Sequence, residues 1–294
     1  MTTQPSISTR KNDLTRRGFL QAAGLGAAAT LAGTNRCFGQ SPAPAASAKP
    51  NGKTITLGVA SYTFRKFDLD KTIAMTRQAG LEYICLKDFH LPLKSTSDQI
   101  AAAAAKVRKA GLTLYGCGVV SMHKAADVQQ AFAYAKAAGM KRIIAAPSPD
   151  LLPLVNDKIQ QFDIAVCIHN HGPGDKVWPT PQSAYEKIKG LDPRFGLCMD
   201  IGHTVRIGGN LVETTKQCAD RLLDIHLKNV TEATAKGKCS RLGQGVIDIP
   251  AFFRTLLAIH YTGVASFEYE IEENDPLPGL TESVVYARQV LATI

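Results

Sequence analysis

The sequence lacks the short motifs that mark several common classes of protein. Its seven cysteines include no CxxC pair, so a cysteine zinc site and thioredoxin-like chemistry are not expected. No GxGxxG fingerprint opens a helix after the first predicted strand, and no P-loop occurs in the chain. These absences argue against dinucleotide-binding and P-loop nucleotide-binding proteins.

Blocks of positive charge are also missing. The formal net charge is +9, but residues 1–40 carry five basic residues and one acidic residue, so the rest of the chain carries only +5. Those remaining basic residues occur singly or in adjacent pairs, and no longer basic block is present. Because nucleic-acid binding needs a concentrated basic surface, no nucleic-acid partner is expected.

The N-terminal region has no long apolar run, although it has the features of an export signal. Residues 15–20 read TRRGFL, which is the twin-arginine pattern, and a mild Ala/Gly stretch follows as far as Gly33. That stretch is too short and too weakly apolar to span a membrane. Residues 41–50 are rich in Pro, Ala and Ser, as expected of a flexible cleavage region.

We therefore predict that residues 1–50 form a twin-arginine signal peptide with its cleavage region, and that residues 51–294 form one domain. The expected partner of the signal is the twin-arginine export machinery, no stable membrane anchor is expected, and the predicted location is periplasmic or secreted. Such export moves folded proteins, which allows a metal to be loaded beforehand. The alternative is a disordered tail that contains an Arg-Arg pair by chance.

From Lys53 onward, short apolar runs alternate with longer amphipathic segments. The predicted strands are Ile55–Ser61, Tyr83–Lys87, Leu112–Val119, Arg142–Ala146, Ile164–His169, Phe195–Asp200, Leu222–Leu227 and Val264–Glu268. The predicted helices, each followed by a glycine that signals a helix C-terminus, are Leu69–Ala79, Ser97–Ala110, Ala125–Ala138 and Pro181–Lys189. Eight largely apolar strands alternating with helices predict a parallel (β/α)8 TIM barrel; a doubly wound open sheet is the alternative.

Four cysteines lie inside these predicted strands. Cys85, Cys117, Cys167 and Cys198 each fall within an apolar run, where cysteine packs as a small hydrophobe. The sequence therefore predicts no disulfide framework.

Histidines and acids end several of the predicted strands, which is where TIM barrels place their functional side chains. Six of the seven histidines fall at or just after a predicted strand end; they are His90, His123, His169, His171, His203 and His226. Asp200 and Glu268 end two further strands. Side chains of these types are ligands of divalent metal ions. The alternatives are a helix cap for Asp200, a satisfied core histidine for His226 and a buried ion pair for Glu268.

Five short segments together resemble the xylose isomerase-like TIM barrel superfamily, the sugar phosphate isomerases and epimerases, which also contains endonuclease IV. The segments are 168–173 (IHNHGP), 200–203 (DIGH), 226–228 (HLK), 242–248 and 267–270 (FEYE). The resemblance covers roughly residues 52–294. It implies one divalent ion (Mn, Co, Mg or Zn) as cofactor, held by Glu, Asp, His and Glu from four successive strand ends.

Carried over residue by residue, the resemblance places metal ligands at Asp200, His226 and Glu268, and a substrate-contacting histidine at His203. The first ligand, a glutamate in the family, is His169 here, which can also bind a divalent ion. Family epimerases resemble two-base catalysts, in which two metal-bound carboxylates face opposite sides of a carbon next to a carbonyl. With His169 in place, only Glu268 of that pair remains, which favours a one-base process.

Further residues are candidates for contact with the substrate. Lys87 ends the second predicted strand, where a lysine can polarise a carbonyl or hydroxyl, and we place it with Glu268, His203 and His169 among the catalytic candidates. The candidates for substrate binding are His171, Arg206, Lys228, Phe64 and Trp178. Surface cations are the alternative for the lysines and arginine, and packing within loops is the alternative for the two aromatic residues.

The sequence thus predicts a metal-dependent sugar isomerase or epimerase that abstracts a proton next to the carbonyl of a free sugar or keto sugar. A lyase or hydratase of 3-keto sugars on the same metal site is one alternative. A catalytically silent sugar- or metal-binding barrel is another. An endonuclease IV-like repair enzyme needs extra His and Glu ligands and a basic groove, and the export signal and modest charge argue against it.

Overall fold

A computed structural model of the chain describes residues 54–294. The predicted signal peptide and cleavage region, residues 1–50, lie outside the described residues. Among the residues that are described, no helix combines the length and apolarity needed to cross a membrane.

Eight parallel strands close into a barrel. They are β1 (Thr56–Ala60), β2 (Tyr83–Leu86), β3 (Thr113–Met122), β4 (Arg142–Pro147), β5 (Ala165–His169), β6 (Phe195–Asp200), β7 (Leu222–Leu227) and β10 (Val264–Phe267). Each strand pairs with its neighbour along the chain, and β10 pairs with β1 to complete the ring. The predicted TIM barrel is confirmed, and the alternative of a doubly wound open sheet is excluded because β1 and β10 pair with each other.

Helices follow the strands around the barrel. They are α1 (Leu69–Gln78), α2 (Ser97–Lys109), α3 (Ala125–Ala138), α4 (Leu152–Phe162), α5 (Pro181–Ile188), α6 (Ile201–Arg206), α7 (Leu211–Gln217), α8 (Ile249–Ala258) and α9 (Leu277–Thr293). Local signals set their ends: Thr96 and Gln99 form a capping box at the start of α2. Gly139 ends α3 at φ +66°, a left-handed conformation that glycine adopts without strain.

A two-stranded antiparallel sheet lies above the barrel and was not predicted. Its strands are β8 (Asn229–Val230) and β9 (Cys239–Ser240). The Asn229 side chain supports this segment, because its Oδ1 accepts hydrogen bonds from the backbone N–H groups of Val230 and Ile247.

Side chains on alternate residues of each strand fill the barrel interior. Contacts between strands that are not neighbours identify them, because such strands meet only inside the barrel. At the N-terminal end, Arg142 on β4 donates from Nη1 to Asp224 Oδ2 on β7 at 2.8 Å. Tyr115 on β3 and Ser266 on β10 form a hydrogen bond of 2.6 Å at the same level. We call these four residues the lower polar cluster.

A layer of small side chains lies above the lower polar cluster. Cys85, Cys167 and Cys198 pack together with Ile144, and none of the four exceeds 1% exposure. These thiols are unpaired, as the sequence predicts. The layer forms the floor beneath the C-terminal ends of the strands.

Candidate metal centre

Four buried side chains converge at the C-terminal ends of the strands. His169 ends β5, Asp200 ends β6, His226 lies near the end of β7, and Glu268 directly follows β10. Each offers one ligand atom, and these four atoms all lie within 4.8 Å of one another. We call this set the donor group. Its members are the four metal ligands predicted from the sequence.

Strand register brings these side chains together. Asp200 is paired with His226, and His226 is paired with Ser266, so Glu268 follows two residues further along the neighbouring strand. The alternate residues Ile225, Leu227 and Phe267 are buried in the hydrophobic core. The period-two pattern of each strand therefore sends the polar side chains into the barrel and the apolar ones toward the helices.

The two imidazoles of the donor group lack hydrogen-bond partners. Neither Nδ1 nor Nε2 of His169 or of His226 makes a hydrogen bond, although all four atoms are buried. The nearest acids are 3.5 Å from His169 Nε2 (Asp200 Oδ2) and 3.2 Å from His226 Nδ1 (Glu268 Oε2). Buried polar atoms are rarely left unpaired without a reason. Imidazole and carboxylate groups together are suitable ligands for a borderline divalent cation. The four residues of the donor group therefore fit such an ion.

Asp200 has two structural tasks, one for each carboxylate oxygen. Its Oδ1 accepts a hydrogen bond of 2.7 Å from the His203 backbone N–H and so caps α6. Its Oδ2 faces the donor group. The helix-cap alternative and the ligand prediction for Asp200 are therefore compatible. Asn170 fixes the backbone beneath it by accepting from the Asp200 N–H at 3.0 Å.

Lys228 places an ammonium group among three carboxylates. Its Nζ lies 2.8 Å from Asp200 Oδ2, 2.7 Å from Glu268 Oε2 and 3.1 Å from Glu270 Oε1. The residue is only 5% exposed, which rules out the surface-cation alternative for Lys228. Gly202 leaves room for the lysine stem, because a Cβ at that position would approach Lys228 Cγ to 2.5 Å.

Charge pairing sets the ionisation of this cluster. Burial alone raises the pKa of the Glu268 carboxyl, but His226 and Lys228 outweigh it and hold that pKa well below its usual range. Burial also raises the pKa of Asp200, and the opposing charges of His203 and Lys228 lower it further than burial raises it. Both carboxylates are therefore ionised at neutral pH, as metal ligands must be.

The two imidazoles respond differently to burial. Burial lowers the pKa of His169 to about 3, so this side chain is a neutral nitrogen donor at neutral pH. Burial also lowers the pKa of His226, but the Glu268 carboxylate outweighs it and raises that pKa above its ordinary value. The Glu268 carboxylate thus favours the protonated form of His226 more than water does.

A cavity of about 260 Å³ opens above the donor group. Its lining residues are Tyr62, Lys87, Val119, Ser121, His169, His171, His203, Glu268 and Glu270. Imidazoles form one wall, since the ring centre of His169 lies 4.6 Å from that of His171 and 6.0 Å from that of His203. Carboxylates of Glu268 and Glu270 form another. The volume is near the lower end for small-molecule sites, which fits a compact ligand.

Most of the predicted catalytic and substrate-binding residues reach this cavity. Lys87, His171 and His203 line it together with members of the donor group. Lys87 Nζ donates to the carbonyl of Val119, which lies where the register between β3 and β4 shifts. Arg206 is not among the lining residues; its Nη2 donates to the Ala235 carbonyl at 2.9 Å.

The two predicted aromatic contacts are corrected by the structure. Phe64 is 0% exposed and Trp178 is 1% exposed, so neither presents a ring face to a ligand. Phe64 ends a 3₁₀ turn that directs its side chain into the core, and Trp178 Nε1 donates to the buried carbonyl of Pro147 at 2.8 Å. The aromatic residue on the cavity wall is Tyr62, which lies two residues after the end of β1.

Val119, Ser121 and Glu270 are the other lining residues that were not predicted as site residues. Glu270 lies two residues beyond Glu268, and the same period-two argument that identifies Glu268 places it toward the cavity. Ser121 carried no comparable signal. Conversely, His90 lies at a strand end for a structural reason, because its ring bonds Ser61 Oγ at 2.8 Å and Thr72 Oγ1 at 3.0 Å.

Sequence comparison agrees with this architecture. Residues 68–290 match the sequence pattern of the xylose isomerase-like TIM barrel, which is more than half of the chain. The chain belongs to the xylose isomerase-like TIM barrel family. None of the curated proteins compared matches it.

Solved members of this fold are similar over most of their length. The 3-keto-D-glucoside 4-epimerase of E. coli shares 16% identity at a TM-score of 0.66, with 80% of this chain and 100% of that chain covered. An L-ribulose 3-epimerase shares 16% identity at 0.65, covering 82% and 95%. A probable 3-DHS dehydratase from Bacillus anthracis shares 14% identity at 0.64, covering 79% and 99%. At these identities the likeness concerns the fold alone.

Proposed function

We propose that this xylose isomerase-like barrel is a divalent-metal-dependent enzyme that moves a proton next to the carbonyl of a free sugar or keto sugar. One observation carries the proposal. His169, Asp200, His226 and Glu268 bring ligand atoms within 4.8 Å of one another, and the imidazole nitrogens among them make no hydrogen bond. His169 and Glu268 also line an open cavity. The epimerases of similar fold support a sugar as the substrate class.

The donor group would hold one Mn, Co, Mg or Zn ion. When bound, such an ion polarises a substrate carbonyl and stabilises the negative charge that develops on its oxygen. Lys87 and His203 lie on the cavity wall, where they can donate hydrogen bonds to substrate oxygens. Tyr62 offers an aromatic surface to the apolar side of a sugar ring.

Glu268 is the proposed base. It lines the cavity and is held ionised by His226 and Lys228. Its carboxylate takes a proton from the hydroxyl-bearing carbon next to the carbonyl and returns it to the carbonyl carbon, while the hydroxyl proton moves to the former carbonyl oxygen, which converts an aldose into a ketose. Relatives carry the second base of the pair, a glutamate, at the position that His169 occupies here, so only Glu268 of that pair remains. This difference favours isomerisation over epimerisation.

A lyase or hydratase of 3-keto sugars is the second candidate. In that reaction Glu268 takes the proton next to the ketone, a hydroxyl leaves from the adjacent carbon, and the products are an enone and water. The neutral His169 in place of a carboxylate and the probable dehydratase of similar fold support this candidate. Both candidates begin with the same proton abstraction, and they differ in whether the substrate then loses water.

We further propose that the enzyme acts outside the cytoplasm. The TRRGFL signal at residues 15–20 supports export by the twin-arginine machinery. An exported enzyme meets free sugars more readily than phosphorylated ones, so the proposed substrate carries no phosphate. Fusion of residues 1–50 to a folded reporter tests this directly. Export that stops when Arg16 and Arg17 are both replaced by Lys supports the proposal, and unchanged export contradicts it.

The test of function is proton exchange. Metal-loaded protein is incubated in deuterated water with a panel of aldoses, ketoses and 3-keto sugars, and the products are followed by NMR. Deuterium at the carbon next to the carbonyl without loss of water supports the isomerase, and an enone supports the lyase. Glu268→Gln and metal-stripped protein serve as controls and should show neither. A wild-type protein that binds metal and sugar but exchanges no proton would establish a silent binding barrel instead.

The one-base argument has its own test. His169→Glu restores a carboxylate at the position where relatives carry one. We expect this variant to retain the metal and to gain epimerase activity that the wild type lacks, as measured by inversion at the exchanging carbon. Efficient epimerisation by the wild type would show that the argument is wrong.

A further inference from the structure

Cys198 lies directly below the donor group. It points into the barrel from β6, two residues before Asp200, and it is 0% exposed. Its Sγ and one ring nitrogen each of His169 and His226 lie within 4.8 Å of one another. These three atoms form a second set that shares both imidazoles with the donor group but contains neither carboxylate.

Each of the two imidazoles has a second ring nitrogen that could bind a metal ion in such a set. The nitrogens nearest the acids are His169 Nε2 and His226 Nδ1. The other nitrogen of each ring, His169 Nδ1 and His226 Nε2, is also buried and makes no hydrogen bond. A closed hydrophobic floor would leave these atoms unsatisfied at a considerable cost.

The Cys198 thiol makes few other polar interactions. Its one polar contact is a weak 3.7 Å hydrogen bond to Asp224 Oδ1, and the rest of its surroundings are Cys85, Cys167 and Ile144. Among residues 54–294, no group of three metal-ligating side chains includes Cys85 or Cys167. Cys198 therefore differs from the other thiols of the same layer in having two imidazoles within reach.

We propose that Cys198, His169 and His226 form a second metal site on the core side of the carboxylates, selective for thiophilic ions such as Zn²⁺, Cd²⁺ and Cu⁺. A thiolate with two imidazoles suits these ions, whereas Mg²⁺ and Mn²⁺ prefer carboxylate oxygens. Coordination forms a metal–sulfur bond and releases the thiol proton to solvent.

This inference shares His169 and His226 with the proposed function but requires neither Asp200 nor turnover. The two can therefore fail separately. Loss of Mn²⁺ binding with retained Cd²⁺–sulfur bonding would remove the proposed function and leave the thiolate site, and the reverse result would do the opposite.

The experiment titrates metal-stripped full-length protein with Cd²⁺ and follows the ultraviolet sulfur-to-cadmium charge-transfer band. We expect the band at the first equivalent in the wild type, in Cys167→Ser and in Asp200→Ala, and its loss in Cys198→Ser. Cd²⁺ affinity should fall by about tenfold or more in Cys198→Ser, while Mn²⁺ affinity stays within about twofold. A Cys198→Ser variant with the wild-type band would overturn the proposal.

A second measurement avoids any variant. X-ray absorption of the wild type with one equivalent of Cd²⁺ should show one sulfur and two imidazoles in the first coordination shell. A shell of nitrogen and oxygen alone would overturn the proposal even if Cys198→Ser fails to fold.

Discussion

Strand β7 contributes side chains to both ends of the barrel interior, and the buried polar groups at the two ends differ in their hydrogen bonding. Asp224, His226 and Lys228 alternate along one face of this strand and its continuation. Asp224 belongs to the lower polar cluster, where it accepts a hydrogen bond from Arg142 and is 0% exposed. His226 lies two residues further along the strand and is also buried, but neither of its ring nitrogens makes a hydrogen bond.

The difference separates a structural role from a binding role. In the lower polar cluster, the Arg142 guanidinium pairs with the Asp224 carboxylate, and the hydroxyl groups of Tyr115 and Ser266 form a hydrogen bond. The Asp224 carboxylate therefore already has a partner. At the C-terminal ends of the strands, three acids surround one lysine, and the two imidazoles beside them make no hydrogen bond. Arg142 Nε in the lower polar cluster is also buried without a hydrogen bond, so neither burial nor a single unpaired atom marks a site. The donor group differs because four side chains bring ligand atoms together at one point.

Breaking the lower ion pair should give the largest effect on stability. Asp224→Ala leaves the Arg142 guanidinium partly buried without its partner, and we expect the free energy of unfolding to fall by about 3–5 kcal/mol. Denaturant titration measures the loss. If the comparison of the two ends is right, the fraction that remains folded still binds one divalent ion. Loss of the metal with unchanged stability would reverse the assigned roles.

Asp200→Ala should have the complementary effect at the upper end. It removes a ligand oxygen, so we expect affinity for Mn²⁺ to fall at least about a hundredfold, or about 2.7 kcal/mol. Calorimetric titration measures the affinity. His203→Ala is the matched control, because it removes a cavity-lining ring but no ligand; it should retain the metal and lose turnover. Equal metal affinity in Asp200→Ala and wild type would contradict the donor group.

Lys228→Met tests competition between the ammonium group and a metal ion. Lys228 Nζ lies within hydrogen-bond distance of one oxygen each of Asp200 and Glu268, which are the two carboxylate ligands of the proposed metal site. Its removal should tighten Mn²⁺ binding by about tenfold, or about 1.4 kcal/mol. The metal-free variant should also be less stable, since the acids then repel one another. Weaker metal binding would show instead that Lys228 positions the carboxylates for the ion.

The pH dependence of the metal-free protein tests whether His169 is neutral in the folded state. Burial lowers the pKa of His169 to about 3, whereas histidine in an unfolded chain titrates near about 6.5. Between these values the unfolded state binds a proton that the folded state does not, so stability falls as pH falls. The slope is at most about 1.4 kcal/mol per pH unit from this group. His169→Gln should flatten it relative to wild type; an unchanged slope would place the proton uptake elsewhere.

The fold was largely predictable because every barrel strand is an apolar run with a clear end. Phe195–Asp200 and Leu222–Leu227 were predicted at their observed bounds, and the other strands differ by up to three residues at an end. The sheet of β8 and β9 was missed because two-residue strands leave no periodic pattern. Several helices were not assigned because their loops carry fewer glycine signals than the earlier repeats.

The donor group was predictable for the same reason, since strand alternation fixes which residues face inward. Lys228 and Glu270 follow the identical rule, so their proximity to His226 and Glu268 was available from the sequence. The alternation of side chains within one strand does not predict contacts between residues that lie far apart in the sequence. The ammonium of Lys228 among three acids depends on such contacts, and so do the burial of Phe64 and Trp178.

The most direct test of the upper site is a crystal structure of the protein with Mn²⁺, recorded with anomalous scattering. We expect one strong anomalous peak at about 2.0–2.2 Å from nitrogen or oxygen atoms of His169, Asp200, His226 and Glu268, and none beside Arg142 and Asp224. A folded, Mn²⁺-soaked protein without a peak at the donor group would contradict the account.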